Sequence, residues 1–207
     1  MKKSTKCLLF TVGASVAGIY IYNKFIEQTA SQKNLLSDKN GQYYNWKYGN
    51  VFYTKTGKGS PVLLIHDTDS AASSVEWNKL ITRLSKNHTV YAIDLLGCGR
   101  SDKPALEYTN YLYVQMIQSF LKDIIQERST VIASNLSASF VIMANHIDES
   151  LFEKIILINP ASMEQLDIIP DDASKVKKAI IQLPFIGTFV YNIMNNMQHI
   201  DSSFRTR

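Results

Sequence analysis

The sequence has few of the residues that hold small secreted or metal-binding folds together. Its 207 residues include only two cysteines, Cys7 and Cys98, which excludes a disulfide framework and a metal cluster built on Cys-x-x-Cys pairs. Hydrophobic residues make up 45% of the chain, so it can build a core, and wholesale disorder is excluded as well. The length suits one domain with an appendage.

Acidic residues are absent from the N-terminal segment, where the first one is Glu27. The first 24 residues hold four of the 22 basic residues and none of the 18 acidic ones, so the remaining 183 residues carry 18 of each. The net charge of +4 therefore comes from one end of the chain. A nucleic-acid-binding domain needs a basic patch on its folded part, and this balance argues against one.

Charge is also absent from residues 7–23, which are mostly apolar. These 17 residues lie at the short end of the roughly 17–25 that cross a hydrocarbon core as a helix. Three lysines precede the run and Lys24 alone follows it. This asymmetry predicts a single-pass membrane anchor with a cytoplasmic N-terminus and an extracytoplasmic domain. The alternatives are a cleaved signal peptide, which would give a secreted protein, and a buried helix.

The rest of the chain alternates apolar runs with amphipathic stretches. Buried strands are predicted at 61–67, 88–97, 129–134 and 153–160. Helices are predicted at 73–86, 111–127 and 136–147, and a hairpin at 42–59 with Gly49-Asn50 as its turn. This order predicts an α/β fold with a doubly wound, mostly parallel sheet. The predicted organisation is an anchor (1–24), a linker (25–41), a partial α/β core (42–165) and the start of a helical cap or lid (166–207).

Three segments carry motifs at the predicted C-terminal ends of strands, namely 65–77, 94–104 and 131–139. In this order and spacing they resemble the α/β-hydrolase family over roughly residues 42–190. The middle segment fits the family's D-x-x-G-x-G-x-S-D-x-P loop through Asp94, Gly97, Gly99, Ser101, Asp102 and Pro104. We expect the two glycines to permit tight turns and Asp94 to pin the loop rather than to catalyse.

The resemblance also implies a G-x-S-x-G nucleophile elbow, but an ungapped match places Asn135 at its apex. An amide cannot act as a nucleophile that a histidine deprotonates, whereas asparagine tolerates the positive φ of an elbow apex. The competing register makes Ser137 the catalytic nucleophile, at the cost of stretching the strand and placing Asn135 where close packing favours glycine. A third reading takes these residues simply as the start of a helix.

The remaining catalytic motifs are also altered. His66 matches the family's oxyanion loop, but Asp67 stands where glycine is usual, and Leu136 follows the apex. A carboxylate at Asp67 would repel a developing oxyanion unless it turned away, and His66 is then structural. Only His146 and His199 follow the elbow, and neither follows a last strand as the family histidine does.

The resemblance therefore implies an ester- or acyl-hydrolase ancestry without metal or organic cofactor, in a chain that lacks the last strands of the fold and is inactive as given. The alternatives are a non-catalytic module that binds a small apolar or acyl ligand or a protein, and an active hydrolase in which a missing segment completes a site around Ser137. An incomplete sheet predicts self-association through its open edge. The stretch 182–197 resembles the start of the family's lid.

Overall fold

A computed structural model describes residues 15–29, 41–69, 72–166 and 171–194. These residues form two compact units, one built from residues 41–166 and the other from the helices at 15–29 and 171–194. The larger unit contains the sheet and every residue of the candidate site.

The sheet has six strands among the described residues. They are β1 (Gly41–Trp46), β2 (Gly49–Thr56), β3 (Ser60–Ile65), β4 (His88–Ile93), β5 (Ser129–Ser134) and β6 (Phe152–Ile158). Their order is β1-β2-β4-β3-β5-β6. The β1–β2 and β2–β4 pairs are antiparallel, and the strands from β4 to β6 are parallel. The inner strands β3, β4 and β5 are mostly buried because helices cover both of their faces, whereas β6 is largely exposed.

Helices pack on both faces of this sheet, as the doubly wound prediction requires. They are α2 (Asn78–Leu84), α3 (Asn110–Phe120) and α4 (Ser137–Ile147). A 3-10 turn at Ser74–Trp77 precedes α2, and a π-helical turn extends α3 to Ile125. The short α5 (Met163–Leu166) follows β6. One face packs Val62, Leu64 and Ile132 against the region of α2. The other packs Leu63, Ile65 and Val131 among side chains of α3 and α4. The predicted α/β class and mostly parallel sheet are confirmed.

Two predicted boundaries were wrong. The hairpin turns at Lys47-Tyr48 rather than at Gly49-Asn50, because Trp46 pairs directly with Gly49. The Asp102 carboxylate accepts the Asn50 N–H at 2.8 Å and holds that residue in β2, which a local pattern could not reveal. The predicted strand 88–97 ends earlier, at Ile93, because the next residue begins the buried loop described below.

The smaller unit contains α1 (residues 15–29), α6 (Asp172–Ile181) and α7 (Ile186–Met194). Tyr22 and Phe189 stack edge to face at 5.3 Å, and Asn192 donates a hydrogen bond to Asn23 at 3.0 Å. The predicted linker 25–41 is thus helical up to residue 29. No described helix has both the length and the apolar character that a membrane crossing requires. Residues 1–14 of the predicted anchor, the rest of the linker to residue 40 and residues 195–207, including His199, lie outside the described residues.

Candidate functional site

The elbow joins the end of β5 to the start of α4 through Asn135 and Leu136. Asn135 has φ +48°, a left-handed conformation that asparagine adopts more readily than most residues. Its N–H donates to the Ile158 carbonyl of β6 at 3.0 Å, and its own carbonyl accepts the Ala138 N–H at 3.2 Å. Asn135 therefore sits at the apex of a strand–turn–helix, in the backbone geometry that the sequence pattern predicted.

The Asp67 carboxylate lies against this elbow. Its Oδ1 accepts the Thr68 N–H at 2.7 Å and the Leu136 N–H at 3.3 Å. One donor comes from the loop after β3 and the other from the residue after the apex. These are the two places from which an oxyanion hole of this fold draws its backbone donors. One carboxylate oxygen of Asp67 thus accepts a backbone N–H from each of these two places.

The second oxygen of Asp67 binds the apex side chain. Asn135 donates from Nδ2 to Asp67 Oδ2 at 3.1 Å, and Asn159 donates from its own Nδ2 to Asn135 Oδ1 at 2.8 Å. An ionised carboxylate can only accept, so the Asn135 amide must turn its nitrogen toward Asp67. Hydrogen bonds thus link the side chains of Asp67, Asn135 and Asn159 in a row at the elbow. We call these three residues the apex chain.

Ser137, the alternative nucleophile, lies two residues beyond the apex. Its side chain is fully buried at the start of α4, and its hydroxyl donates to the His66 carbonyl at 2.6 Å. The neighbouring Ser134 is also buried, and its hydroxyl donates to Glu76 at 2.9 Å. The structure therefore places Asn135 at the apex, while both serine hydroxyls serve as donors to other groups.

His66 is fully buried and bonded at both ring nitrogens. Its Nε2 accepts the Leu95 N–H at 2.9 Å, so Nδ1 carries the proton that is donated to the Asp67 carbonyl at 2.5 Å. Burial lowers the pKa of His66, and the ring is neutral. It joins the β3 and β4 loops, in accord with a structural role.

The other described histidines lie far from the apex. His88 begins β4, at the opposite end of the parallel strands, roughly 17 Å away along a six-residue strand. His146 lies near the end of α4, about 14 Å from the start of that helix. Within the described part of the chain, the structure brings no histidine to Asn135 that would serve as a general base.

The loop after β4 is built around Asp94, which is fully buried. Arg100 donates to its carboxylate from the backbone and from Nε, both at 2.8 Å, and Ser74 donates its N–H at 2.7 Å. Burial would raise the pKa of Asp94, but the hydrogen bonds from Arg100 and Ser74 outweigh it and hold the pKa below its usual value. Asp94 pins the loop, as the sequence predicted.

The rest of that motif ties the loop to β2. Ser101 accepts the Phe52 N–H at 2.8 Å, and Asp102 binds the Asn50 N–H as noted above. Gly97 and Gly99 take φ values of +89° and +47°. A Cβ on Gly99 would lie 2.3 Å from Asp94 Oδ2, so only glycine fits there. The motif stabilises the loop and contributes no reacting group.

Two polar residues of the site escaped the sequence reasoning. Asn159 has φ +47° and contacts the apex amide, and Glu76 binds Ser134. The Asn-Pro pair at the end of the predicted strand 153–160 was a local signal for the first. Glu76 offered no such signal, because its contact joins positions 58 residues apart.

A parallel sheet whose strand β5 ends in an elbow, faced by the loop after β3, defines the α/β-hydrolase fold. A profile of the alpha/beta hydrolase family matches residues 62–194, and the chain belongs to this family.

Individual proteins agree with this assignment. The chain is 26% identical over 113 residues to a 2-hydroxy-6-oxo-6-(2'-aminophenyl)hexa-2,4-dienoic acid hydrolase of Metapseudomonas resinovorans, covering 54% of this chain and 39% of the relative. It is 31% identical over 103 residues to an uncharacterised protein of Mycobacterium tuberculosis H37Rv, covering 50% of this chain and 30% of the relative. An alpha/beta hydrolase fold protein from Burkholderia ambifaria superposes with a TM-score of 0.60 at 23% identity, covering 72% of this chain and 54% of that one. The chain thus spans about a third of the length of these curated relatives.

Proposed function

We propose that this chain is a non-hydrolytic member of the α/β-hydrolase family, descended from ester- or acyl-hydrolysing enzymes. The observation that carries the proposal is the position of Asp67 Oδ1, which accepts both backbone donors of the oxyanion hole. A substrate oxyanion would meet a negative charge in place of those donors. The amide at Asn135 adds a second obstacle, since it offers no nucleophile at the apex.

A fluorophosphonate probe on the purified full chain tests this proposal, because it labels serines that a hydrolase has activated. We expect no labelling of the natural chain. The matched variants Ser137→Ala and Ser134→Ala distinguish the two buried hydroxyls. Labelling that disappears in Ser137→Ala alone would contradict the proposal and support the active-site role of Ser137.

A second measurement tests the occupied hole directly. In Asp67→Gly the N–H groups of Thr68 and Leu136 lose their carboxylate, so a small carboxylate such as acetate can take its place. We expect saturable NMR shifts of these two amides in an acetate titration of the variant and none in the natural chain. Asp69→Gly, on the same loop, is the matched control. Equal shifts in the natural chain would show that Asp67 leaves the hole open.

We also propose that the N-terminal segment anchors the chain in a membrane with the folded part outside the cytoplasm. The support is the uncharged run at 7–23 with three lysines before it and one after it. An alkaline carbonate wash of membranes is expected to leave the full-length chain in the pellet. Its release as a full-length soluble chain would contradict the anchor, and release of a shortened chain would indicate the secreted alternative.

A cavity in the smaller unit supports a second candidate function, the binding of an apolar ligand. It is an open groove of about 570 Å³, lined by apolar side chains, among them Tyr20 and Ile26, and by the charged Lys24 and Glu27. This candidate is an alternative to the membrane anchor, in which Tyr20 would lie in the bilayer. Ligand pockets commonly have volumes of about 300–1,000 Å³. We expect a fluorescent fatty acid to bind the natural chain and to bind Ile26→Arg at least tenfold more weakly. Tyr111→Arg, on the exposed surface of the larger unit, is the control.

A further inference from the structure

Hydrogen bonds hold the Asn135 side chain beside the peptide nitrogen that follows it. The Asp67 carboxylate accepts the Leu136 N–H at Oδ1 and the Asn135 Nδ2–H at Oδ2, at 3.3 and 3.1 Å. The two oxygens of one carboxylate are close neighbours, so the side-chain amide of Asn135 and the Leu136 nitrogen lie on the same side of the elbow. This is the side from which the nitrogen can attack the amide carbon Cγ.

Such an attack is the ordinary route by which an asparagine loses its side-chain amide. The nitrogen of the next residue bonds to Cγ, ammonia leaves, and a five-membered succinimide ring remains. The reaction is assisted by a base that takes the proton of the attacking N–H and by a donor to the amide oxygen, on which negative charge develops. It also needs a proton for the departing nitrogen.

The apex chain supplies each of these groups. Asp67 Oδ1 already accepts the Leu136 N–H, and Asp67 Oδ2 contacts the nitrogen that would leave. Asn159 donates from Nδ2 to Asn135 Oδ1 at 2.8 Å, where the charge would develop. Asn159 is closed to the same reaction, because the next residue is Pro160, which has no N–H.

We propose that Asn135 is a self-modification site, at which the folded chain converts its own asparagine to an acid. The Leu136 nitrogen bonds to Asn135 Cγ while its proton passes to Asp67. Asp67 returns the proton to Nδ2, the Cγ–Nδ2 bond breaks, and ammonia leaves. One water molecule then opens the succinimide at either carbonyl carbon and gives aspartate or isoaspartate. Asn135 is partly exposed, so water can reach the ring.

The local sequence alone predicts a slow reaction at this position. The bulky side chain of Leu136 hinders the attack in an unfolded chain, whereas Asn40 is followed by Gly41 and should react fastest there. Asn34 is also followed by a leucine, so it has the same local chemistry as Asn135. In the unfolded chain we expect Asn34 and Asn135 to react at similar rates, and folding should accelerate the reaction at Asn135 alone of the two.

Incubation of the purified full chain at neutral pH in heavy-oxygen water, followed by peptide mass spectrometry, tests the proposal. The heavy oxygen marks every acid formed during the incubation. We expect Asn135 to react at least tenfold faster in the folded chain than in urea, with both aspartate and isoaspartate as products. A rate in the folded chain that is equal to or below the rate in urea would overturn the proposal, as would aspartate without isoaspartate.

Variants of the apex chain test the assigned roles. Asp67→Asn removes the base, and Asn159→Ala removes the donor to the amide oxygen. Each should slow the reaction of Asn135 at least tenfold in the folded chain, while Asp69→Asn, on the same loop as Asp67, is the matched control. A circular dichroism melt verifies that each variant is folded. Equal rates in Asp67→Asn and Asp69→Asn would refute the role of Asp67.

Discussion

Exchanging the carboxylate of Asp67 and the amide of Asn135 is the most direct test of the apex chain. In Asp67→Asn two amide nitrogens face each other at the position of the present 3.1 Å hydrogen bond. In Asn135→Asp two carboxylates face each other there. In the double variant the new amide at position 67 donates to the new carboxylate at position 135, and Asn159 still donates to that carboxylate. The oxygen of the new amide still accepts the N–H groups of Thr68 and Leu136.

The contacts set the expected magnitudes. Two unit charges 3.1 Å apart repel by about 5 kcal/mol at an effective dielectric constant of 20. Both side chains are partly exposed, so solvent and relaxation reduce this, and we expect Asn135→Asp to lose about 2 kcal/mol of unfolding free energy at pH 7. Asp67→Asn loses about 1–3 kcal/mol because it leaves facing donors unpaired. The double variant should recover most of the summed loss, a coupling of about 2 kcal/mol.

Urea unfolding of the four proteins measures this coupling. The repulsion in Asn135→Asp raises the pKa of one carboxyl in the folded state, so its deficit should shrink as the pH falls from 7 toward 4, where that carboxyl is protonated. Losses that add within about 0.5 kcal/mol would refute the direct contact between the two side chains. A deficit in Asn135→Asp that does not change with pH would refute the proximity of two carboxylates.

Three further predictions concern the loops around the site. Arg100→Leu leaves Asp94 buried without its ion pair and should cost about 3–5 kcal/mol in urea unfolding, whereas a loss below about 1 kcal/mol would show that the pair is dispensable. The pKa of His66 is lowered in the folded state. Its contribution to the stability of the fold is therefore complete above its unfolded-state pKa of about 6.5, and it is lost as the pH falls below that pKa. The urea concentration at the unfolding midpoint should therefore decrease as the pH is lowered from 7 to 5. An equal decrease in His66→Gln would show that other groups cause it. Gly99→Ala should destabilise the larger unit by more than about 2 kcal/mol, because its Cβ would overlap Asp94. Gly18→Ala in α1, where a Cβ meets nothing within 4 Å, should be neutral or stabilising. Similar melting temperatures for the two variants would contradict the close approach of Gly99 to Asp94.

Much of the fold could be predicted because its signals are local. Strand β5 matches the predicted 129–134, since it is an apolar run bounded by polar residues. The φ of Asn135 followed from the tolerance of asparagine for left-handed backbone. The positive φ of Gly97 and Gly99 followed from the spacing of their loop motif in the same way.

The details that decide the chemistry depend on tertiary contacts, which no local pattern contains. Sequence reasoning expected a conflict between Asp67 and an oxyanion, but not that its carboxylate would itself take the donors of Thr68 and Leu136. The hydrogen bond from Leu136 to Asp67 joins positions 69 residues apart, and it forms only when the loop after β3 and the elbow lie side by side. The true hairpin turn depended likewise on Asp102, which lies 52 residues beyond Asn50.

The carbonyl of Asn135 has a consequence for how this site can change in evolution. It accepts N–H groups from Ala138 in α4 and from Ala161 beyond β6, so the backbone alone fastens the elbow to both neighbours. At position 135, selection for a stable fold therefore favours residues that accept the left-handed backbone and that keep the side-chain hydrogen bond to Asp67. A saturation library at this position should retain asparagine, aspartate and glycine as folded proteins more readily than β-branched residues. Substitution at position 135 is thereby constrained first by the backbone conformation of the elbow and only then by the chemistry of the side chain.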